Sequence, residues 1–271
     1  MRASLRFISI SALTLGFVLP LRAQRPVLFT ENPKTLGEGK FDIGFGFEYL
    51  KKNRSIPLKA PIWLLRVPDA RTYIGVSDII DVLIDWRGRL FAEQGTGTHV
   101  SDWGDARIGT KINFLKETRS QPSFAIMYLV KLPSTKHDEL LGSNQTDFYL
   151  SFLAAKEIGD IQLRASLGFG ILDDPEHPHT QLDIYTMGAA FLLPLGEENR
   201  LFIEWTGFLG SHRDQTKFAT RCGIERTILN AHWSAFGSFR VIGDEKDFGT
   251  AFEYSEGWGV GLFVWKEFSL W

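Results

Sequence analysis

The segment His232-Trp-Ser234 sets an imidazole and a hydroxyl two residues apart. Positions i and i+2 of a strand share a face, so a hydrolase could use such a pair as base and nucleophile. A second grouping, Asp173-Asp-Pro-Glu-His-Pro-His179, gathers carboxylates and imidazoles of the type that bind divalent ions. A third, Gly95-Thr-Gly-Thr98, has the glycine content of a phosphate loop. None of the three carries its chemistry far. The His-Ser pair opens a strand whose inward face continues with Phe236 and Arg240, which reads as a polar lumen pair. The acidic loop is broken by Pro175 and Pro178 and has no scaffold to converge its ligands. The glycine stretch lacks the preceding parallel strand and the following helix that cradle a phosphate. No catalytic residue, metal site or cofactor is assigned.

A larger set of charges is more regularly placed. Asp42, Glu48, Asp81, Asp85, Asp105, Asp147, Glu204 and Glu225 each alternate with apolar neighbours. So do Arg87, Arg89, Arg107, Lys111, Lys131, Arg164, Arg221 and Arg240. Eight acids against eight bases suggests mutual pairing on one face, with no strong preference for either sign of ion. Such a set reads as a network that neutralises buried charge, as the lining of a conduit, or as both at once.

These residues need strands to hold them. In Phe41-Asp-Ile-Gly-Phe-Gly-Phe-Glu-Tyr49 every odd position is apolar. Ile161 to Ile171 alternates in the same way over eleven residues, and Ile80–Trp86 and Ala106–Phe114 repeat the pattern. A period of two means strand. About twelve strands are predicted: 38–50, 61–74, 79–91, 104–115, 122–132, 146–156, 160–171, 181–193, 200–210, 217–227, 231–241 and 257–269. The second is interrupted at Pro68-Asp69, where a bulge is expected. The eighth is apolar on both faces, which leaves its register open.

The connections alternate. Those after even-numbered strands are short: Gly75–Asp78, Lys116–Gln121, Glu157–Gly159, Pro194–Asn199 and Leu229-Asn230. Those after odd-numbered strands are mostly longer and polar: 51–60, 92–103, 133–145, 172–180 and 242–256, with 211–216 compact. Short periplasmic turns and long outer loops are the pattern of a bacterial membrane barrel, with both chain ends on the periplasmic side. Runs of ten to twelve residues match the roughly 9–11 needed to cross a bilayer with tilt. Phe41, Tyr49, Phe114, Phe124, Phe148, Trp233 and Phe268 lie near strand ends on the apolar face, as membrane-interface girdles require.

The first residues read as a signal peptide. Arg2 and Arg6 precede a largely apolar stretch from Phe7 to Leu21, and Ala23 closes it. The expected division is a signal peptide at 1–23, a periplasmic segment at 24–37 and an outer-membrane barrel at 38–271. Removing 1–23 leaves 27 basic and 32 acidic side chains, a net charge of −5, which argues against a nucleic-acid partner. A single cysteine, Cys222, excludes an internal disulfide. The expected partner is outer-membrane lipid, and the oligomeric state is not legible.

With the strands placed, several stretches carry a resemblance. Thr30-Glu-Asn-Pro-Lys-Thr-Leu-Gly-Glu-Gly-Lys-Phe41 precedes the first strand, followed by Gly75-Val-Ser-Asp78 and Gly104-Asp-Ala-Arg-Ile-Gly-Thr-Lys111. Val130-Lys-Leu-Pro-Ser134 and Gly142-Ser-Asn-Gln-Thr-Asp-Phe148 come later. In order and spacing these resemble the outer-membrane proteins grouped under the meta-pathway of phenol degradation and labelled as transporters. The resemblance implies a membrane barrel that passes small hydrophobic or aromatic compounds, and no site residue comes with it. Two other readings stay open: a lipid hydrolase and a non-conducting structural barrel. Outer-membrane phospholipase A, a twelve-strand barrel, has Asn directly after its Ser, where this chain has Ala235.

The expected fold is therefore all-β, a transmembrane antiparallel up-and-down β-barrel, porin-like in role and not an enzyme. Its lumen is lined by Asp81, Asp85, Arg87, Asp105, Arg107, Lys111, Lys131, Asp147, Arg164, Glu204, Arg221, Glu225 and Arg240.

Overall fold

A computed structural model describes residues 29–51, 61–135, 141–173, 181–210, 216–242 and 257–269. The expected signal peptide and most of the Asp173–His179 loop lie outside the described residues. Among those residues there are fourteen strands and no helix. They are β1 (Lys40–Lys51), β2 (Pro61–Ser77), β3 (Ile80–Trp86), β4 (Arg89–Gln94), β5 (His99–Trp103), β6 (Ala106–Leu115) and β7 (Ser123–Leu132). After these come β8 (Asp147–Ile158), β9 (Ile161–Asp173), β10 (Gln181–Pro194), β11 (Asn199–Gly210), β12 (Lys217–Ile228), β13 (Ala231–Ile242) and β14 (Trp258–Ser269).

All pairings are antiparallel, and β1 closes the sheet by pairing with both β14 and β2. The far half of β2 pairs with β3 and its near half with β4, while β6 continues the wall from β3 and β5 from β4. Thus β3 with β4, and β5 with β6, are each one wall position cut in two. The wall has twelve positions, and closure leaves few unpaired backbone groups for lipid to meet.

Burial alternates along each wall strand. In β1, Asp42, Gly44, Glu48 and Leu50 are buried while Phe45 and Phe47 face outward. The register of β10 resolves in the same terms: Ile184, Ala190 and Leu192 are inside, Tyr185 and Phe191 outside. Outward aromatics stack across strands near the rims, as Phe41 on Phe268 at 5.0 Å, Phe114 on Phe124 at 6.3 Å and Trp86 on Trp103 at 5.7 Å. The bulge expected in β2 is present, with Gly46 opposite Asp69 and Glu48 opposite Arg66, so β2 carries one extra residue there.

The stretch 92–103, expected as a loop, is a β-hairpin. Its tip is closed by Gln94, whose N–H donates to the Thr98 carbonyl at 2.8 Å. Its presence follows from Gly88, at φ 56°, whose missing Cβ lets the Pro68 carbonyl approach. A left-handed residue there turns the strand and shifts its parity by one. Beyond it Leu90 and Ala92 are buried, while Arg89 lies on the outer side, its guanidinium 5.0 Å from the Trp103 ring. Arg89 is therefore removed from the inward set.

Candidate functional site

The inward face is not uniformly polar. Between β10, β11, β13 and β14 it is filled by Ala190, Leu192, Phe202, Phe236, Phe263 and Trp265. Inward glycines make the room: a Cβ on Gly223 would lie 2.6 Å from Phe202, and one on Gly46 or Gly261 would collide with Phe263 or Phe236. A second apolar group, Tyr73, Leu83, Ala125, Met127 and Leu153, lines the wall from β2 to β8.

What crosses the space between is the chain's own N-terminal stretch. Residues 29–36, set apart from the barrel in the sequence reading, run as an extended strap inside it. The Thr30 N–H donates to Glu204 of β11 at 2.5 Å. The Lys111 ammonium of β6 donates to the carbonyls of Asn32 at 3.0 Å and Lys34 at 2.9 Å. Asn113 donates to the Pro33 carbonyl at 2.9 Å, and the Leu36 N–H donates to Asp81 of β3 at 3.0 Å. Tyr73 donates to Glu31. Thr30 and Asn32 have no exposed surface. The strap passes close to β10 at Gly188, where a Cβ would meet the Thr30 hydroxyl. Its amide groups need partners once out of water, and these wall side chains supply them.

At the short-turn end Lys34 reaches Glu157 at 2.6 Å and Glu117 at 3.0 Å, and Lys156 reaches Glu117 at 3.1 Å. Burial raises the Glu117 pKa. The Glu157 N–H and the two ammonium groups more than offset this and hold the carboxyl below its usual range. At the other end of the strap the Phe29 ring lies 3.8 Å from the Arg221 guanidinium and 5.9 Å from that of Arg71.

The strap divides the lumen. On the short-turn side is a vestibule of about 1290 Å³, lined by strap residues 34–36, Gly37, the turns and inward groups including Arg200 and Glu225. Beyond the strap lies a cavity of about 120 Å³ between Phe29, Arg107, Met127, Leu129, Tyr149, Leu153, Phe208 and the hydroxyls of Ser151, Ser166, Thr186 and Thr206.

The sequence-assigned charges are inward, and most are engaged. Lys111 pairs with Asp81 at 3.3 Å with neither exposed, Arg107 with Asp85 at 2.5 Å, and Lys131 with Asp147 at 2.6 Å. Arg221 pairs with Glu48 at 2.8 Å. Asp105 accepts from the N–H groups of Ser134 and Thr135 and lies 3.7 Å from Lys131. Arg164 donates to Gln162, and Arg240 is half-buried on β13. Arg87 pairs with Asp69 at 2.7 Å, and Glu204 engages the strap backbone. Asp69, Arg66 and Arg71 were missed because the bulge in β2 breaks the alternation that would have exposed them.

His232 and Ser234 are both inward. The His232 Nδ1 is 3.0 Å from the Thr227 hydroxyl, its ring lies against Trp265, and Ser234 has no exposed surface. Ser143, expected in an outer loop, is buried and lies 2.6 Å from Lys131.

No family model and no curated protein matches the chain. Solved structures do. An outer-membrane channel from Pseudomonas putida F1 superposes with a TM-score of 0.66 at 12% identity, over 88% of this chain and 98% of that one. The NanC porin superposes with a TM-score of 0.52 at 5% identity, over 84% and 98%. The likeness is one of fold, a closed barrel of the outer-membrane channel type. It does not extend to the phenol-pathway grouping.

Proposed function

We propose that this closed barrel is an outer-membrane channel for small solutes, held shut in the observed conformation by residues 29–36. The observation that carries the reading is the seating of that strap: side chains from β3, β6 and β11 converge on its backbone across the lumen, and Tyr73 of β2 donates to its Glu31 carboxylate. A wall that needed only to be stable could fill its centre with side chains. Here inward groups hold a removable length of main chain, with space on both sides of it. Short turns and both chain ends face the periplasm, and outward apolar and aromatic residues meet outer-membrane lipid. The small cavity, apolar on one side and hydroxylated on the other, fits passage of small hydrophobic or aromatic compounds.

A hydrolase reading lacks support, because His232 and Ser234 face the interior and not the lipid that would be the substrate. A non-conducting barrel would need neither vestibule nor strap. Planar-bilayer recording on the refolded mature chain tests the reading. The intact protein should conduct weakly and with little ion selectivity, since wide aqueous pores generally need about sixteen or more strands. Deleting residues 29–36 should raise the conductance. A large, strongly selective conductance in the intact protein, unchanged by the deletion, would overturn it.

A further inference from the structure

The Phe29 ring is held between two guanidinium groups of the wall. It lies 3.8 Å from the Arg221 guanidinium and 5.9 Å from that of Arg71. The same two guanidinium groups also face wall aromatics, Arg221 over Phe236 at 5.2 Å and Arg71 over Phe263 at 5.5 Å. Both are fixed by carboxylates, Arg221 by Glu48 at 2.8 Å and Arg71 by Asp85 at 3.6 Å. Each carboxylate is shared, Glu48 with Arg66 at 2.8 Å and Asp85 with Arg107 at 2.5 Å, so the guanidinium groups are held in place, keep net positive charge and present to the lumen a preformed seat for the face of an aromatic ring. Phe29 fills that seat, and beside it lies the 120 Å³ cavity. A cavity of about 150 Å³ takes benzene; this one is smaller, so a free ring gains full room only when the Phe29 ring withdraws from the seat beside it.

We infer that Phe29 is a tethered stand-in for a free ligand: a single-ring aromatic solute competes with it for the Arg221–Arg71 seat and so releases the strap. The inference rests on the reading of the strap as the closing element, and adds what dislodges it. The physical basis is linkage. A solute that binds the seat only when Phe29 has left must shift the strap toward its released state, by an amount set by its affinity for the vacated seat. The seat selects a π-face over mere bulk, because the attraction comes from the ring quadrupole. One hydroxyl can be met by Ser151, Thr186 or Thr206 in the adjoining cavity.

The test uses the refolded mature chain with Cys222→Ala, since Cys222 is exposed, and Thr30→Cys as a reporter on a residue with no exposed surface. Asn32→Cys, equally covered, serves if the first variant does not give the folded electrophoretic band. The rate of modification by a charged maleimide is followed with benzyl alcohol and with cyclohexylmethanol, which differ in aromaticity and little in size. Benzyl alcohol should accelerate modification saturably, and cyclohexylmethanol should not. Phe29→Leu keeps an apolar side chain without a π-face. It should raise the basal rate roughly five- to thirtyfold, as loss of a desolvated cation–π contact implies, and abolish the response to benzyl alcohol. Equal acceleration by both alcohols, no acceleration by either, or a retained response in Phe29→Leu would each overturn the inference. Accelerated modification in a protein that never conducts would support it and sink the channel reading.

Discussion

Inside this barrel a charged side chain matters through what it holds, and position decides how much. Lys111 has no exposed surface, pairs with Asp81 and donates to two strap carbonyls. Lys111→Met should destabilise the barrel by about 3–5 kcal/mol in denaturant titration, because it strands a buried carboxylate. Arg226→Ala breaks a 3.6 Å pair with Glu198 in which both groups are more than half exposed. Its cost should stay under about 1 kcal/mol. Equal effects would mean that the lumen is wet enough to screen its ion pairs. Glu117 adds a pH dependence. Its folded pKa is depressed, so its contribution is present above the ordinary carboxylate value and is lost as pH falls through the folded one. The stability difference between the wild type and Glu117→Gln should be constant near neutrality and shrink as pH falls below the ordinary carboxylate value of about 4. A difference that grows with acid would reverse the sign and refute the assignment.

Among the elements, those with unbroken alternation were legible from sequence. β1, β6 and β9 carry the expected residues on the expected faces, because a pleated strand obeys period two wherever one side is apolar. Misreadings cluster where a single residue shifts the parity. Gly88 turned an expected loop into the β4–β5 hairpin and moved Arg89 outside, and the bulge in β2 hid Asp69 and Arg71. The strap was read as a separate segment because its sequence has no periodicity, and its fixation comes from partners 42 to 192 residues away. The hairpin supplies a topology test, since Thr96 at its tip and Asn230 in the turn between β12 and β13 are both exposed. In a Cys222→Ala background, Thr96→Cys should react with an impermeant thiol reagent on intact cells. Asn230→Cys should react only after the outer membrane is breached. The opposite pattern would invert the barrel.

For the molecule as a whole, the outward face must be a lipid face. Arg in place of Phe45 or Leu167, 51% and 64% exposed on the outside, should cost roughly 2–4 kcal/mol near the bilayer midplane. Arg at Ser166, which faces the lumen, should cost less in the same refolding titration. Similar costs on both faces would place water, not lipid, around the wall. The seat of the strap also has a history. Its partners are spread from β2 to β12, and the contact between Thr30 and Glu204 closes a separation of 174 residues. Such a contact cannot form until the intervening strands stand in order, since distant pairings bring no gain before the chain between them is arranged. The Thr30 end of the strap is therefore housed late. Obstruction at that end of the lumen is acquired as the barrel nears completion, by a stretch whose backbone is held by side chains of the wall.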